Sequence, residues 1–578
     1  MSVSTPFIEP PDQPRTHVTL RLIAQDPSVK GDDRHILTAA VKVPWSRMED
    51  GPRGARLHVV DFDTATGEYI KHPGIADEDV FADAEDADLL TDKAFHAQHV
   101  YGTAARTLAT FESALGRRLS WGFEGHHLYL VPHAFAEANA FYSDDDHALL
   151  FGYIPPTGDG KGAHGPVFTC LSHDVVVHET THAVLDGLRH RFLEPSLPDQ
   201  AAFHEGFADI VALLSVFSMR PVVEQALGPA KAGRIGRDRV EPDRLRHSVL
   251  TKVAEQIGRA LTQGRGALRA SALKPPPADW AELTIYDEPH RRGEVLVAIV
   301  LDVLIDIWWT RLQALFSRPG SKAQDVTVDR TRAAEEGVKA ASQLLTMLIR
   351  GLDYLPPVEF EFSDLLDAVL LADAEVVPDD DLGYRDLLIQ RFAAAGIERP
   401  DRVADVLEAE LVPRYLGINY ASLRSDRDEV FRFLWQNAPR LGVDTRFYTI
   451  VESVLPTQRI GPDGLIVPES VATYVQMVDM SAREFARESE LTLPEGIDGD
   501  TPVQFFGGGT LVFDQFGRLK LHVFKRLDDW RRQVRRLKYL DSTGRRDTKG
   551  GLGFSEGRSR GQAFAALHST ELSSGEAW

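Results

Sequence analysis

Hydrophobic positions along this chain recur with two periods, and each period predicts a different kind of element. Long stretches repeat about every 3.6 residues, which is typical of helices with a buried face. Shorter stretches of roughly four to eight residues, rich in β-branched and aromatic side chains, are typical of strands. The helical stretches are 95–119, 175–185, 201–214, 295–312, 333–352, 363–377 and 401–411. The strand-like stretches are 17–23, 55–62, 148–154, 446–451, 470–478 and the two arms of 510–524.

The order of these stretches predicts an α+β fold with several domains, since 578 residues exceed what one core usually organises. Turns at Thr64-Ala65-Thr66-Gly67 and Gln515-Phe516-Gly517 indicate two β-hairpins. The expected divisions are a β-rich N-terminal segment (1–90), a β-rich lobe (91–185), a helical lobe (186–398), a C-terminal α+β domain (399–541) and a Gly/Ser/Arg-rich, disordered tail (542–578).

One helical stretch carries candidate chemistry in the pattern H-E-x-x-H, formed by His178, Glu179 and His182. Residues four apart share one helix face, so both imidazoles can reach one metal ion. Glu179 is then placed to take a proton from a metal-activated water. The apolar run around the motif predicts a buried helix, in which polar groups need partners. The alternative is a pair of core histidines bonded to backbone, and the intervening Glu179 argues against it.

A catalytic zinc usually has three protein ligands, so a third is needed. One class of zinc hydrolases uses another histidine, but Leu188 occupies that position and His190 comes two residues too late. The other class uses a glutamate from a following helix, and Glu205 fits this requirement. Asp209 lies four residues further on, where it can accept the other ring N–H of His178 or His182. Apolar neighbours argue against a solvated acidic face.

These motifs resemble those of the thermolysin-like neutral metalloproteases, the zincins with a glutamate third ligand. The family pattern D-V-V-x-H-E-x-T-H-A-V is matched by residues 174–184, and N-E-A-x-x-D-I by residues 204–210. His204 replaces the family Asn and Gly206 the family Ala, whereas Glu205 and Asp209 are retained. The resemblance covers about residues 92–395. It implies a two-lobed zincin fold, with one catalytic Zn²⁺ on His178, His182 and Glu205 and with Glu179 as general base.

Two shorter matches follow the family order along the chain. Asn139-Ala140-Phe141-Tyr142 resembles the family's substrate-binding edge strand, which implies that Asn139 and the Ala140 backbone contact an extended peptide. A plain strand end is the alternative for this motif. His290, just before an apolar helix, resembles the family histidine that hydrogen-bonds the tetrahedral intermediate, and this resemblance implies a transition-state role. A surface histidine is the alternative there.

Composition limits the partners. With 86 acids against 64 bases and a net charge of −22, the chain is not expected to bind nucleic acid or anionic membranes. Neither a transmembrane stretch nor a signal peptide is recognisable, and only about ninety residues precede the family-like region, so we expect a cytoplasmic protein. Cys170 is the only cysteine, which excludes an internal disulfide and favours a buried structural thiol.

Two expectations concern charged residues elsewhere. The basic helix 530–539 is expected to present a solvated face, with partner binding as the alternative. Calcium is not expected, although the family commonly binds it near the active site, because residues 211–220 contain no acid. We interpret Asp174 as an acid at a helix N-terminus, where it favours the helix dipole.

The resemblance thus implies a zinc-dependent endopeptidase that hydrolyses peptides or proteins, with a regulatory protein partner as a further possibility. An exopeptidase is disfavoured because the chain lacks a G-x-M-E-N motif. Two alternatives remain open. One is a zinc hydrolase of a non-peptide amide, and the other is an inactive or partner-gated, zinc-stabilised interaction module. Retention of Glu179 argues against the inactive module, which has no need of a base.

Overall fold

A computed structural model gives the fold of most of the chain. It describes residues 16–31, 33–45, 48–137, 139–155, 166–193, 196–249, 274–316, 327–399, 413–544 and 551–552. These residues form mixed helix and sheet, which confirms the predicted α+β class at that level. The predicted helix 401–411 lies outside the described residues, and so does most of the predicted tail 542–578.

The N-terminal residues form the strands predicted for them. Strands β1 (His17–Ile23) and β2 (Thr38–Pro44) pair antiparallel. The predicted stretch 55–62 divides into β3 (Leu57–Val59) and β4 (Asp61–Asp63), and β4 pairs with β5 (Glu68–Ile70) across the predicted turn. Strand β3 instead joins the central sheet, parallel to β6. The N-terminal segment is therefore continuous with that sheet.

The central sheet has the order β3-β6-β8-β7, and β7 forms its edge among the described residues. Strands β7 and β8 are antiparallel, and a short β9 also pairs with β8. Helices α1 (Asp86–Thr91) and α2 (Lys93–Leu115) lie between β3 and β6 along the chain, and α2 begins where the Asp92 side chain accepts the Ala94 N–H. The remaining bounds are β6 Leu128–Phe135, β7 Ala140–Ser143, β8 Ala148–Ile154 and β9 Val167–Phe168.

The helical region follows the predicted stretches closely. Helix α3 (His173–Leu188) is buried at every position from His173 to Asp186. Among described residues no single helix is long and apolar enough to span a membrane; one pair, α4 and α5, passes that test of length and composition together, bent by 81°. The other helices are α4 Pro198–Phe217, α5 Arg220–Leu227, α6 Pro242–Val249, α7 Pro289–Phe316, α8 Arg330–Gly351, α9 Phe362–Val376 and α10 Tyr384–Ala394. Strands β10 (Arg234–Gly236) and β11 (Thr327–Asp329) pair antiparallel.

The C-terminal region is a four-stranded antiparallel sheet with the order β12-β13-β14-β15. The predicted hairpin is confirmed, since β14 and β15 pair on either side of residues 515–518. Beyond the last helix, Leu552 is buried and bridges to Val503. The elements are α11 Arg427–Gln436, β12 Tyr448–Ile460, β13 Ile466–Ser481, α12 Ala482–Ser489, β14 Pro502–Asp514, β15 Leu519–Lys525 and α13 Trp530–Ser542.

A buried ion-pair network joins the C-terminal sheet to the helical region. Arg459 of β12 is fully buried, and its Nη2 lies 2.7 Å from Asp353 Oδ2. Arg459 also pairs with Glu469 of β13, and Arg117 reaches the same Asp353 carboxylate at 2.6 Å. Burial and these arginines act on Asp353 in opposite directions, and the arginines lower its pKa to about 2. The interface therefore contains paired charges as well as apolar contacts.

Helix α13 corrects the expected solvated basic face. Arg532 and Arg536 lie one turn apart, are each 1% exposed, and both pair with the carboxylate of Glu359. Arg532 Nη2 and Arg536 Nη1 donate to backbone carbonyls, including those of Phe506 and Gln504. The prediction holds for Arg531, Arg535 and Lys538, which are exposed. It was wrong for Arg532 and Arg536, because a sequence of basic residues does not reveal that a distant acid will face the helix.

Replacing Glu359 with glutamine is expected to lower the free energy of unfolding by about 3–5 kcal/mol. The substitution leaves two buried guanidinium groups without a countercharge, and such unpaired buried charges are strongly destabilising. Urea denaturation followed by circular dichroism measures the change. The matched control is Glu335→Gln, since Glu335 is exposed and pairs only with Arg332 at 3.0 Å among its described ion pairs. Equal midpoints for both variants would contradict the role assigned to Glu359.

Candidate metal centre

Helix α3 places His178 and His182 one turn apart on one face, as predicted. The two Nε2 atoms face each other at 2.8 Å, and both side chains are buried. The rings are nearly perpendicular, with centroids 4.5 Å apart. Helical periodicity alone therefore brings two imidazole nitrogens to one point.

Helix α4 adds Glu205 to these two histidines. Its Oε2 lies 3.5 Å from His178 Nε2 and 3.8 Å from His182 Nε2, and the carboxylate is buried. The ligand atoms of the three side chains all lie within 4.8 Å of one another. This is the trio that the sequence predicted, assembled from two helices.

A close contact between glycines positions Glu205. Gly206 of α4 packs against Gly293 of α7, so closely that a Cβ on Gly206 would lie 2.8 Å from the Gly293 carbonyl oxygen. A Cβ on Gly293 would likewise lie 2.9 Å from the Gly206 nitrogen. Only glycine permits this approach without displacing a helix. The contact explains why position 206 is glycine, where the thermolysin-like motif has alanine.

Hydrogen bonds on the far side of each ring orient the histidines. His178 Nδ1 lies 2.8 Å from Asp209 Oδ1, so the structure assigns Asp209 to His178 rather than His182. His182 Nδ1 lies 2.8 Å from His204 Nδ1, and the two rings stack. With a proton on each Nδ1, a neutral pair of rings would direct both Nε2 lone pairs at one point. In the sequence, His204 was noted only as a difference from the asparagine of the thermolysin-like motif, and its contact with His182 was not predicted.

The chemistry of this donor set fits a divalent zinc ion. Two neutral imidazoles and one carboxylate are a common ligand set for zinc, and each histidine has the outer hydrogen bond that metal-bound histidines usually have. A cation between them would also remove the repulsion between facing lone pairs. His178, His182 and Glu205 are therefore the residues that could hold the metal.

Glu179 projects from the same helix toward the edge strand. Its Oε2 accepts the backbone N–H of Tyr142 at 3.0 Å, and only 3% of the residue is exposed. Burial raises the pKa of Glu179 to about 8; nearby His178 opposes this and Glu205 adds to it. A bound dication would favour the ionised carboxylate, which is the form a base requires.

His290 lies in the first turn of α7 and belongs to the cluster, although the sequence left a surface histidine open. Its Nε2 is 3.3 Å from Glu205 Oε2, and its Nδ1 is 2.6 Å from Glu288 Oε1. Burial lowers the pKa of His290, but Glu205 and Glu288 outweigh burial and raise it to about 10. The ring is therefore held as a hydrogen-bond donor. Glu288 was not identified from the sequence.

Strand β7 presents its open edge beside Glu179. Gly152 N–H donates to the Asn139 carbonyl at 2.8 Å, so Asn139 faces β8. By antiparallel alternation, the backbone groups of Ala140 and Tyr142 face away from β8. The Asn139 side chain accepts the Ala140 N–H at 2.9 Å. Asn139 and Ala140 thus lie at the edge strand that also carries Tyr142, whose N–H reaches Glu179.

Comparison with known proteins adds no relatives: the chain matches no protein-family model and no curated protein sequence. The functional assignment therefore depends on the residues and geometry described above.

Substituting His204 with alanine is expected to weaken zinc binding by roughly 10- to 100-fold, because outer hydrogen bonds orient metal-bound histidines. His204→Asn is the matched control, since an asparagine oxygen can still accept the His182 N–H and restore most of the affinity. Competition with a fluorescent zinc chelator measures both constants. Identical affinity in wild type and His204→Ala would show that the His182 contact does not orient the ligand.

Proposed function

We propose that this protein is a zinc-dependent metallopeptidase, an endopeptidase with a thermolysin-like catalytic region spanning about residues 92–395. The observation that carries the proposal is the meeting of five side chains from three helices. His178 and His182 lie 2.8 Å apart, Glu205 faces both, and His290 lies 3.3 Å from Glu205. Glu179 completes the group from the same helix as the two histidines.

Zinc bound at His178, His182 and Glu205 would supply Lewis acidity, which polarises a carbonyl and makes water acidic enough to deprotonate near neutral pH. Glu179 takes the proton of the attacking water and later delivers it to the leaving amine. The Tyr142 N–H holds the Glu179 carboxylate during both transfers. Peptide hydrolysis requires both proton movements, and one buried carboxylate beside the bound metal can carry out both.

His290 donates a hydrogen bond to the oxyanion that develops on the attacked carbonyl. Its role follows from position and protonation, since Glu288 fixes Nδ1 and leaves Nε2 directed at the cluster. A preorganised donor of this kind typically contributes about 10²–10³-fold in rate. Asp209 and His204 act only through the rings that they orient.

The edge strand supports an extended substrate backbone. The outward-facing carbonyls of Ala140 and Tyr142 can accept hydrogen bonds from a peptide added as a strand, and the Asn139 amide, which holds the Ala140 N–H, lies alongside. Because Tyr142 N–H already binds Glu179, a strand added at this edge would bring its carbonyls close to the general base. This arrangement favours peptides over isolated small amides.

Cleavage of a diverse peptide library by the zinc-loaded full chain tests the proposal. We expect cleavage at internal bonds, loss of cleavage on zinc removal, and recovery when zinc is restored. Cleavage only at chain ends would contradict the endopeptidase assignment. Full zinc occupancy without cleavage of any peptide would contradict the enzyme and favour a zinc-stabilised interaction module.

A further inference from the structure

A second cluster of metal-ligating side chains lies outside the proposed active site. His96 of α2, His133 of β6 and Cys170, three residues before α3, place one ligand atom each within 4.8 Å of the others. His96 and Cys170 are 0% exposed and His133 is 1% exposed. His96, His133 and Cys170 are separated by 37 residues from one to the next along the chain. Only the packing of α2 on the sheet brings them together.

The inner ring nitrogens of the two histidines point at each other within hydrogen-bond distance, and neutral rings would direct both lone pairs at the same point. His133 Nδ1 lies 2.8 Å and 3.0 Å from the two oxygens of Asp61, so it carries the ring proton. His96 Nε2 lies 3.2 Å from the Leu90 carbonyl oxygen, which can only accept, so it carries the proton as well. The remaining nitrogens, His96 Nδ1 and His133 Nε2, are 2.9 Å apart. Two facing lone pairs repel unless a cation lies between them.

This arrangement repeats that of the proposed active site. There, too, the outer ring nitrogens reach Asp209 and His204, and the inner nitrogens face each other at 2.8 Å. In a tetrahedral zinc site with Zn–N distances of 2.0–2.1 Å, the nitrogens would stand roughly 3.3 Å apart. The second pair therefore needs to open by only a few tenths of an ångström to hold an ion.

The charges of the second cluster balance around a dication. Asp61 is buried, and its carboxylate, which lies within hydrogen-bond distance of both His133 and His72, carries one negative charge. A thiolate at Cys170 would add a second negative charge. With one divalent cation, the carboxylate and the thiolate sum to zero, which is the condition for burying such groups at low cost.

We propose that His96, His133 and Cys170 bind a second zinc ion that fixes the start of α3 to the central sheet. Asp61 orients His133, and through His72 it also connects the β4–β5 region to the site. One sulfur and two nitrogens suit zinc, and a water can fill the fourth tetrahedral position. Binding converts the Cys170 thiol to a thiolate and releases its proton to solvent. The proposal is independent of the peptidase function.

Metal analysis of the full chain tests this site in a background that lacks the first one. His178→Ala/His182→Ala removes two ligands of the proposed active site, and we expect this variant to retain one zinc per chain. Adding Cys170→Ala should bring zinc close to zero. Adding His99→Gln instead should leave it at one, since His99 is a buried histidine of the same helix outside the cluster.

X-ray absorption at the zinc edge gives a second readout that needs no variant. Cys170 is the only cysteine, so a zinc–sulfur distance of about 2.3 Å in the wild-type protein would report its ligation. The ligands of the proposed active site contain no sulfur. The zinc–sulfur signal would therefore persist even if no zinc bound at that site. A folded double variant without zinc, or the absence of a sulfur neighbour, would overturn the proposal. His96 and His133 would then form a hydrogen-bonded pair that shares a proton.

Discussion

Glu179→Gln is expected to lower the rate of peptide hydrolysis by about 10²-fold or more while leaving the zinc content unchanged. Glutamine has nearly the same shape as glutamate, but its amide cannot take a proton from the attacking water. Its oxygen can still accept the Tyr142 N–H, which Glu179 accepts at 3.0 Å. The local structure of α3 and β7 should therefore persist, and the loss should appear in kcat.

The measurement is a comparison of kcat and zinc content on the peptide cleaved best from the library. Glu179→Asp is the informative companion, because it keeps a carboxylate but withdraws it by one methylene and should retain part of the activity. Glu335→Gln, an exposed substitution on α8, controls for handling. Retention of wild-type kcat by Glu179→Gln would show that another group takes the proton. A fall in zinc content would instead place Glu179 among the ligands.

The local parts of the site follow from the sequence. His178 and His182 share a face because helices repeat every 3.6 residues, and the apolar residues around them predicted the burial of α3. Glu205 and Asp209 could be placed for the same reason on the next helix. The bounds of β1 and β8 were also predicted closely, since short apolar strands bounded by turns are local patterns. The relation to the thermolysin-like family stays a prediction from these motifs.

Contacts between distant segments could not be predicted in this way. His204 orients His182 through a position that only the crossing of α3 and α4 defines. The Gly206–Gly293 contact sets the distance between α4 and α7, yet neither glycine forms a recognisable pattern. The error at α13 has the same origin, because Glu359 lies far along the chain from the arginines it pairs with.

Glu205→Gln is expected to abolish stable zinc binding at the proposed active site and, with it, hydrolysis. The neutral amide is a poor ligand for a dication, and the site would keep only His178 and His182. Loss of the charge also removes one of the two carboxylates that raise the pKa of His290, the other being Glu288. The variant should therefore lose the metal and lower the pKa of the oxyanion donor.

The measurement must separate this metal from the one proposed at Cys170. Zinc is best counted in a Cys170→Ala background, where we expect one zinc per chain before the Glu205 substitution and close to none after it. Asp209→Asn is the matched control, because it removes the acceptor of His178 but no ligand and should cost only roughly 10- to 100-fold in affinity. Equal occupancy with and without the Glu205 carboxylate would remove Glu205 from the site. The buried Glu205 carboxylate, which faces the imidazoles of His178, His182 and His290, would then have no function in metal binding.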